Sequence, residues 1–212
     1  MKIICVGQNY AEHAAEMGDA VRGEPLLFGK FESTLIGAGE PIVLPFEATH
    51  VDAEAELCVE IGRSGRRIRE DDALDFVHGY RCANDVSARN LQYTDGQWLR
   101  AKGFDTFCPL GDRVVPVSEL GDGSGLRVVQ RLNGQVLQDG STADLVFGVR
   151  RLVAHASNIF TLEPGDLILT GTPPGVGYAR NPKVTLRHGD VVEVEVEAIR
   201  VLRNPVVAEA GA

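Results

Sequence analysis

The sequence predicts a β-rich α+β fold, and three observations carry that expectation. β-branched and apolar runs recur along the 212 residues, at Ile3–Val6, Val51–Ile61, Val114–Val117, Leu126–Leu132, Leu167–Thr170, Val184–Leu186 and Val191–Leu202. The 24 glycines and 10 prolines often fall in turn-like pairs. Helical patterns are few and do not alternate with the strand runs, which argues against a doubly wound parallel fold.

Taken in order, Ile3–Val6 is a first strand and Tyr10–Met17 a short helix. Val51–Ile61 reads as one strand. Glu70–Val77 reads as a helix, with acids in its first turn and Gly79 near its end. Asn133-Gly134 between Leu126–Leu132 and Gln135–Leu137 suits a two-residue hairpin turn. Thr142–Ser157 is the longest helical pattern, with Leu145, Val149, Leu152, Val153 and Ala156 on one stripe. Val191–Glu197 alternates with period two and has a solvated glutamate face. Without repeats or linkers, residues 1–207 form a single domain, and 208–212 are expected to be a disordered tail.

Composition narrows the function. Hydrophobic residues at 44 % and charged residues at 24 % fit an ordinary globular chain. A net charge of −9 disfavours nucleic acid as a partner. No run approaches the roughly 20 apolar residues of a membrane span, and the opening apolar run is too short for a secretory signal. Cys5, Cys58, Cys82 and Cys108 have apolar neighbours and no C-x-x-C spacing, so they read as reduced core thiols of a cytoplasmic protein. Residues 1–60 hold 11 acids against 3 bases, almost the whole excess. Either a solvated acidic face or a bound cation accounts for it.

The polar segments offer chemistry. On a strand, Asp52, Glu54 and Glu56 share one face about 6.6 Å apart, where they repel unless solvated or bridged by a hard cation. Asp85, Arg89 and Gln92 fall at i, i+4 and i+7. Asp85 is a helix cap or a third carboxylate for that ion. Only 4 of the 21 basic residues are lysines. Lys102 and Lys30, among apolar and small residues, either snorkel or bind an anion. His13 and Glu16 stand at i, i+3, which suits either a surface pair or a base oriented by a carboxylate. Thr170-Gly171-Thr172-Pro173-Pro174-Gly175-Val176-Gly177 is a turn whose N–H groups can approach an anion, but it lacks a P-loop lysine.

The order of these segments resembles the fumarylacetoacetate hydrolase family over residues 3 to 206. The segments are Cys5-Val6-Gly7-Gln8-Asn9-Tyr10 through His13 and Glu16, Asp52 through Leu57, Gly79-Tyr80 through Gln92, Ala101-Lys102-Gly103-Phe104-Asp105, and Gly165-Asp166 through Pro173. The resemblance implies a mixed β-sandwich or β-roll catalytic domain and a homodimer. It implies Mg²⁺ or Mn²⁺ on Glu54, Glu56 and Asp85, and a water-activating dyad of His13 and Glu16. It further implies a catalytic Lys102, with Arg89, Gln92 and Thr172 at the substrate. Such a protein acts on small carboxylated keto or enol acids. The expected reaction is metal-dependent hydrolysis of a C–C bond in an acylpyruvate-like acid. His13 deprotonates water, Lys102 and Gln92 stabilise the oxyanion, and Arg89 or Lys30 grips a distal carboxylate. Isomerisation of a 2-hydroxymuconate-type substrate, or decarboxylation of oxaloacetate, uses the same enolate. The non-enzymatic alternatives are a silent metal-binding relative and an acidic interaction module. Gly103 stands where many relatives have Ser and Asp112 where many have Pro. The N-terminal domain of longer relatives is expected to be absent.

Overall fold

A computed structural model describes residues 1–210. The strands are β1 (Ile3–Gly7), β2 (Leu26–Lys30), β3 (Leu35–Ile36), β4 (Ile42–Leu44), β5 (Val51–Asp52), β6 (Ala55–Ile61), β7 (Val77–Asn84), β8 (Ser87–Ala88), β9 (Cys108–Pro109), β10 (Val115–Pro116), β11 (Arg127–Leu132), β12 (Gln135–Ser141), β13 (Leu167–Leu169), β14 (Val191–Val196) and β15 (Leu202–Ala208). The helices are α1 (Ala11–Glu16), α2 (Arg89–Gln92), α3 (Leu99–Lys102), α4 (Val117–Leu120) and α5 (Val149–Ile159). The expected β-rich α+β class holds.

Two mixed sheets carry the fold, in the orders β10-β7-β6-β13-β1-β2 and β12-β11-β14-β15-β4. Their facing sides share one core, with Leu57 and Val59 of β6 against Val128 of β11 and Val194 of β14, and Leu152 and Val153 of α5 beside them. The first sheet's other side buries Ile3, Cys5, Cys58, Ala83 and Cys108. Both sides of β1 are therefore covered, which is why Ile3-Ile4-Cys5-Val6 is apolar without alternation. All four cysteines are buried and free. Burial raises the thiols of Cys82 and Cys108 to about 12. The Asn133-Gly134 turn has φ of 52° and 82°, as the hairpin requires.

Several elements differ from expectation for local reasons. Val51–Ile61 is not one strand: side chains satisfy its amides across the break. Ala53 N donates to Asp52 Oδ1 (2.9 Å), Glu54 N to Asn84 Oδ1 (3.0 Å) and Ala55 N to Gln138 Oε1 (2.9 Å). The Thr142–Ser157 pattern is a 3₁₀ turn at Thr142–Asp144 and then α5. Leu145 leaves the stripe to bridge Tyr10, and the amides of Val146 and Phe147 bond Asn9. Glu70–Phe76 is 3₁₀, and Val191–Leu202 turns back at Ala198 (φ 64°) into a hairpin. Val184–Leu186 forms no strand. Of the expected tail, Ala208 closes β15 beside Leu44 and Glu209 N bonds Leu44 O; Gly211 and Ala212 lie outside the described residues. No helix among the described residues is long and apolar enough to cross a membrane.

One side chain ties the approach to α1 to both neighbouring segments. Buried Asn9 donates to Thr170 O (2.8 Å) and Phe147 O (3.0 Å) and accepts from Phe147 N (2.8 Å). An Asn9→Leu variant strands those groups, each costing about 1–3 kcal/mol. Chemical denaturation should show a loss of about 3 kcal/mol, and a change below about 0.5 kcal/mol would refute the clamp.

Candidate metal centre

β6 and β7 pair antiparallel with Ala55 opposite Asn84 and Glu56 opposite Ala83. That register brings the residue before β6 beside the residue after β7, and Asp85 N donates to Glu54 O (3.0 Å). Glu54, Glu56 and Asp85 consequently converge, each offering an oxygen within 4.8 Å of the others, and all three are buried. Asp85 is therefore no helix cap: α2 begins only at Arg89. Asp52 does not join the triad. It turns to Arg89 and to the amides of Gly177 (3.1 Å) and Tyr178 (3.0 Å).

Cations interleave with these acids. Lys102, at the end of α3, donates to Glu54 Oε2 (2.9 Å), Asp85 Oδ2 (2.7 Å) and Ser87 Oγ (2.7 Å). Arg89 Nη2 reaches Glu54 Oε1 (2.6 Å) and Asp52 Oδ2 (3.2 Å), and its Nη1 donates to Gln92 Oε1 (2.9 Å). Burial opposes ionisation of Glu54, but Lys102, Arg89 and His13 hold its carboxyl well below the usual range. Burial also opposes the charged form of Lys102, yet Asp85 and Glu54 keep its ammonium above its ordinary value. Glu56 goes the other way. Burial, then the Asp85 and Glu54 charges, push its carboxyl well up, and Lys102 offsets only part. Counting Glu16, five carboxylates stand against the three cations Lys30, Arg89 and Lys102, so the acids outnumber these cations by two. A hard divalent ion on three carboxylate oxygens matches both that charge and that donor set.

The remaining expected site residues fall in several places. His13 Nδ1 lies 2.8 Å from Glu16 Oε1, and its Nε2 lies 4.0 Å from Glu54 Oε1. Gln92 lines the same cavity, with its amide nitrogen free of partners among the described residues. Thr172 lines it too, but its hydroxyl donates to Ala55 O (2.8 Å). Lys30 corrects the expectation of a substrate grip. Its side chain is wholly buried, with Nζ 2.7 Å from Asp85 Oδ1 and donating to the carbonyls of Lys102 (2.6 Å), Phe107 (2.7 Å) and Val86 (3.3 Å). Three N–H groups facing four acceptors leave none for a ligand. The cavity is small, about 30 Å³, room for roughly one or two waters.

Some contributors carried no sequence signal. Gln138 on β12 donates to Thr172 Oγ1 and Pro173 O (both 2.7 Å) and so holds the turn after β13. In that turn the amides do meet anions, and the anions are the protein's own: Gly171 N meets Glu56 (2.7 Å) and Gly175 N meets Glu16 (3.0 Å). Gly103 is explained locally, because a Cβ there would lie 2.5 Å from Leu99 O at the close of α3. Asp112 faces solvent near Arg200, 3.8 Å away.

Gly175 has φ of 101°, and a Cβ would sit 2.4 Å from Leu137 O. A Gly175→Ala variant must shift the turn at a cost of about 1–3 kcal/mol and release Glu16. Thermal unfolding should register a Tm roughly 2–10 °C lower, and an unchanged Tm would show that the turn tolerates a side chain.

The chain is similar to several known proteins. The chain is 47 % identical over 208 residues to a mitochondrial oxaloacetate tautomerase of Xenopus laevis. That alignment covers 97 % of this chain but 65 % of the relative, so the chain spans about two thirds of that protein's length. A solved 5-carboxymethyl-2-hydroxymuconate delta-isomerase from Mycobacterium smegmatis is 44 % identical and superposes with a TM-score of 0.88, covering 99 % of this chain and 80 % of that one. A fumarylpyruvate hydrolase from Pseudomonas aeruginosa, solved with Mn²⁺ and pyruvate, is 29 % identical with a TM-score of 0.90, over 99 % and 90 % of the two chains. Residues 2–207 match the family described as fumarylacetoacetate (FAA) hydrolase C-terminal, and the chain belongs to that family.

Proposed function

We propose that the protein interconverts the enol and keto forms of a small 2-oxo dicarboxylic acid of the oxaloacetate class, with Mg²⁺ or Mn²⁺ held by Glu54, Glu56 and Asp85. The observation that carries this reading is the His13 imidazole, tied at Nδ1 to Glu16 and facing the carboxylate triad through Nε2. Tautomerisation moves a proton between carbon and oxygen and breaks no bond between heavy atoms. It requires a base that takes a proton and returns it, and a neutral imidazole does both near pH 7. With Nδ1–H donated to Glu16, the Nε2 lone pair is left to accept the proton. The Gln92 amide donates to a substrate oxygen, while Arg89 fixes Gln92 through its Oε1. Lys102 spends its N–H groups on Glu54, Asp85 and Ser87, so in this reading it orders the triad instead of gripping an oxyanion. When bound, the divalent ion supplies Lewis acidity that favours the enolate.

The names of the relatives support proton transfer: an oxaloacetate tautomerase and a muconate isomerase are the ones that exceed 40 % identity among those described above. Hydrolysis of an acylpyruvate C–C bond becomes the second reading. The His13–Glu16 pair favours it, since the same base would deprotonate water, and so does the likeness to the fumarylpyruvate hydrolase.

Enol oxaloacetate should ketonise faster with protein and Mg²⁺ than with Mg²⁺ alone, followed by ultraviolet absorbance, without release of pyruvate. Cleavage of an acylpyruvate with no effect on ketonisation would favour the second reading. His13→Gln should lower the rate by about 10²–10⁴. In that variant Mg²⁺ should still stabilise the protein against heat, and an unchanged rate would remove His13 from the chemistry. For protein stripped with EDTA, Mg²⁺ or Mn²⁺ at a hundredfold excess over Kd should add about 2.7 kcal/mol of stability. Glu56→Gln should abolish that gain; if it persists, the ion does not sit on the triad.

A further inference from the structure

Asp52 and Tyr178 do not line the polar cavity, yet both bear on residues that do. Arg89, Gln92 and Tyr93 line it. They belong to α2 and its C-cap, a helix of four residues whose N-cap makes no side-chain bond, so its place is set from outside. One side of α2 is tied to residues 47–50. Arg89 N donates to His50 O (2.8 Å), Asn90 Nδ2 donates to Glu47 O (2.9 Å), and Asn90 Oδ1 accepts from Thr49 N (3.2 Å). The ends of the Arg89 and Tyr93 side chains are tied elsewhere, to the turn at Gly177 and Tyr178.

The buried tie runs through Asp52. Its Oδ1 accepts from Ala53 N (2.9 Å) and Gly177 N (3.1 Å), and its Oδ2 from Tyr178 N (3.0 Å), so three amides fix the carboxylate. At Gly177 a Cβ would crowd Oδ1 at 3.0 Å, and the missing side chain is what admits the acid. Arg89 meets Asp52 Oδ2 through both Nε (3.4 Å) and Nη2 (3.2 Å). Glu54 holds Nη2 alone, a single point about which a guanidinium can swing. Asp52 supplies the second point, on Nε, and so sets where Nη1 lies. Nη1 donates to Gln92. A guanidinium only donates, so the Gln92 atom that faces it is the oxygen, and the amide nitrogen keeps two N–H groups to give. The exposed tie is a stack. The Tyr93 and Tyr178 rings lie 6.0 Å apart at 27°, and Lys183 Nζ sits 3.5 Å from the centre of the Tyr178 ring.

We infer that Asp52 and Tyr178 are positioning residues for Gln92: the turn at Gly177 and Tyr178 aims the Gln92 amide at an oxygen of a bound 2-oxo acid, through Arg89 on the buried side and Tyr93 on the exposed side. The choice of a 2-oxo acid rests on the function proposed above, whereas the relay rests on the Asp52 hydrogen bonds and the tyrosine stack. Neither residue touches the ligand, so the loss of either weakens binding only while Gln92 is there to be aimed.

Calorimetry of pyruvate binding with Mg²⁺ present tests this as a double-mutant cycle. Gln92→Leu should weaken binding about tenfold, Asp52→Asn about fivefold and Tyr178→Ala about threefold. In the Gln92→Leu background, Asp52→Asn and Tyr178→Ala should each change the affinity by less than about twofold. A merely structural role gives the same loss in both backgrounds, and that result overturns the inference. So does an unchanged affinity in any of the three single variants, or a wild type that does not bind pyruvate. Should Asp52→Asn not fold, the cycle with Tyr178→Ala, at a half-buried ring, decides alone. The relay and the proposed reaction fail separately. Coupled losses without ketonisation of oxaloacetate leave the relay standing and remove the reaction. Ketonisation with uncoupled losses does the reverse.

Discussion

The Lys102 ammonium, shared between Glu54 and Asp85, is the interaction on which the rest of the site depends. Burying ions away from water is expensive unless each finds partners with good geometry. Lys102 meets that demand with three acceptors between 2.7 and 2.9 Å. Lys30 braces the other Asp85 oxygen, and Arg89 braces Glu54. These pairings hold two members of the triad before any ion arrives. Glu56 is left as the least compensated acid, with a backbone N–H from Gly171 and no cation of its own. Its raised carboxyl is what a site looks like when the protein's charge balance is incomplete.

The same charge balance explains why the chain departs from regular structure at the site. A continuous strand from Val51 to Ile61 would spend its amides on ladder bonds and send Asp52, Glu54 and Glu56 to one face. In the folded protein Asn84 and Gln138 take the amides of Glu54 and Ala55, freeing Glu54 to face Asp85 and Asp52 to face Arg89. The turn after β13 then supplies N–H groups to Glu16, Glu56 and Asp52 at glycines or their neighbours, where the backbone can come close. Its glycines therefore serve the protein's own acids, so that backbone dipoles reinforce the work of the buried cations.

How much of this was legible in the sequence follows from the range of each interaction. The Glu-x-Glu spacing, the His13–Glu16 pair and the Asn133-Gly134 turn are local, and each appears where the pattern places it. The order of motifs pointed to Asp85 and Lys102 as members of the same site. Two things were not legible. β7 carries Arg81 and Asn84 in a polar context and gives no alternating signal, yet it is the partner whose register assembles the triad. Lys30 offered a choice between snorkelling and gripping a substrate anion, and only the folded chain shows three carbonyls and Asp85 gathered around it. Both depend on contacts between residues far apart in sequence, which periodicity does not record.

The base and the triad rest on supports of unequal strength. Glu54, Glu56 and Asp85 sit at the ends of two strands in the middle of a six-stranded sheet. His13 rides on α1, six residues long, and an isolated helix of that length is not stable in water. Its order comes from outside: Asn9 and the Tyr10–Leu145 bridge at one end, the Gly175 amide on Glu16 at the other. The helix is thus held by a few hydrogen bonds, whereas the triad is held by the ladder of the sheet itself. That division of support belongs to a fold whose similar structures include both an isomerase and a hydrolase.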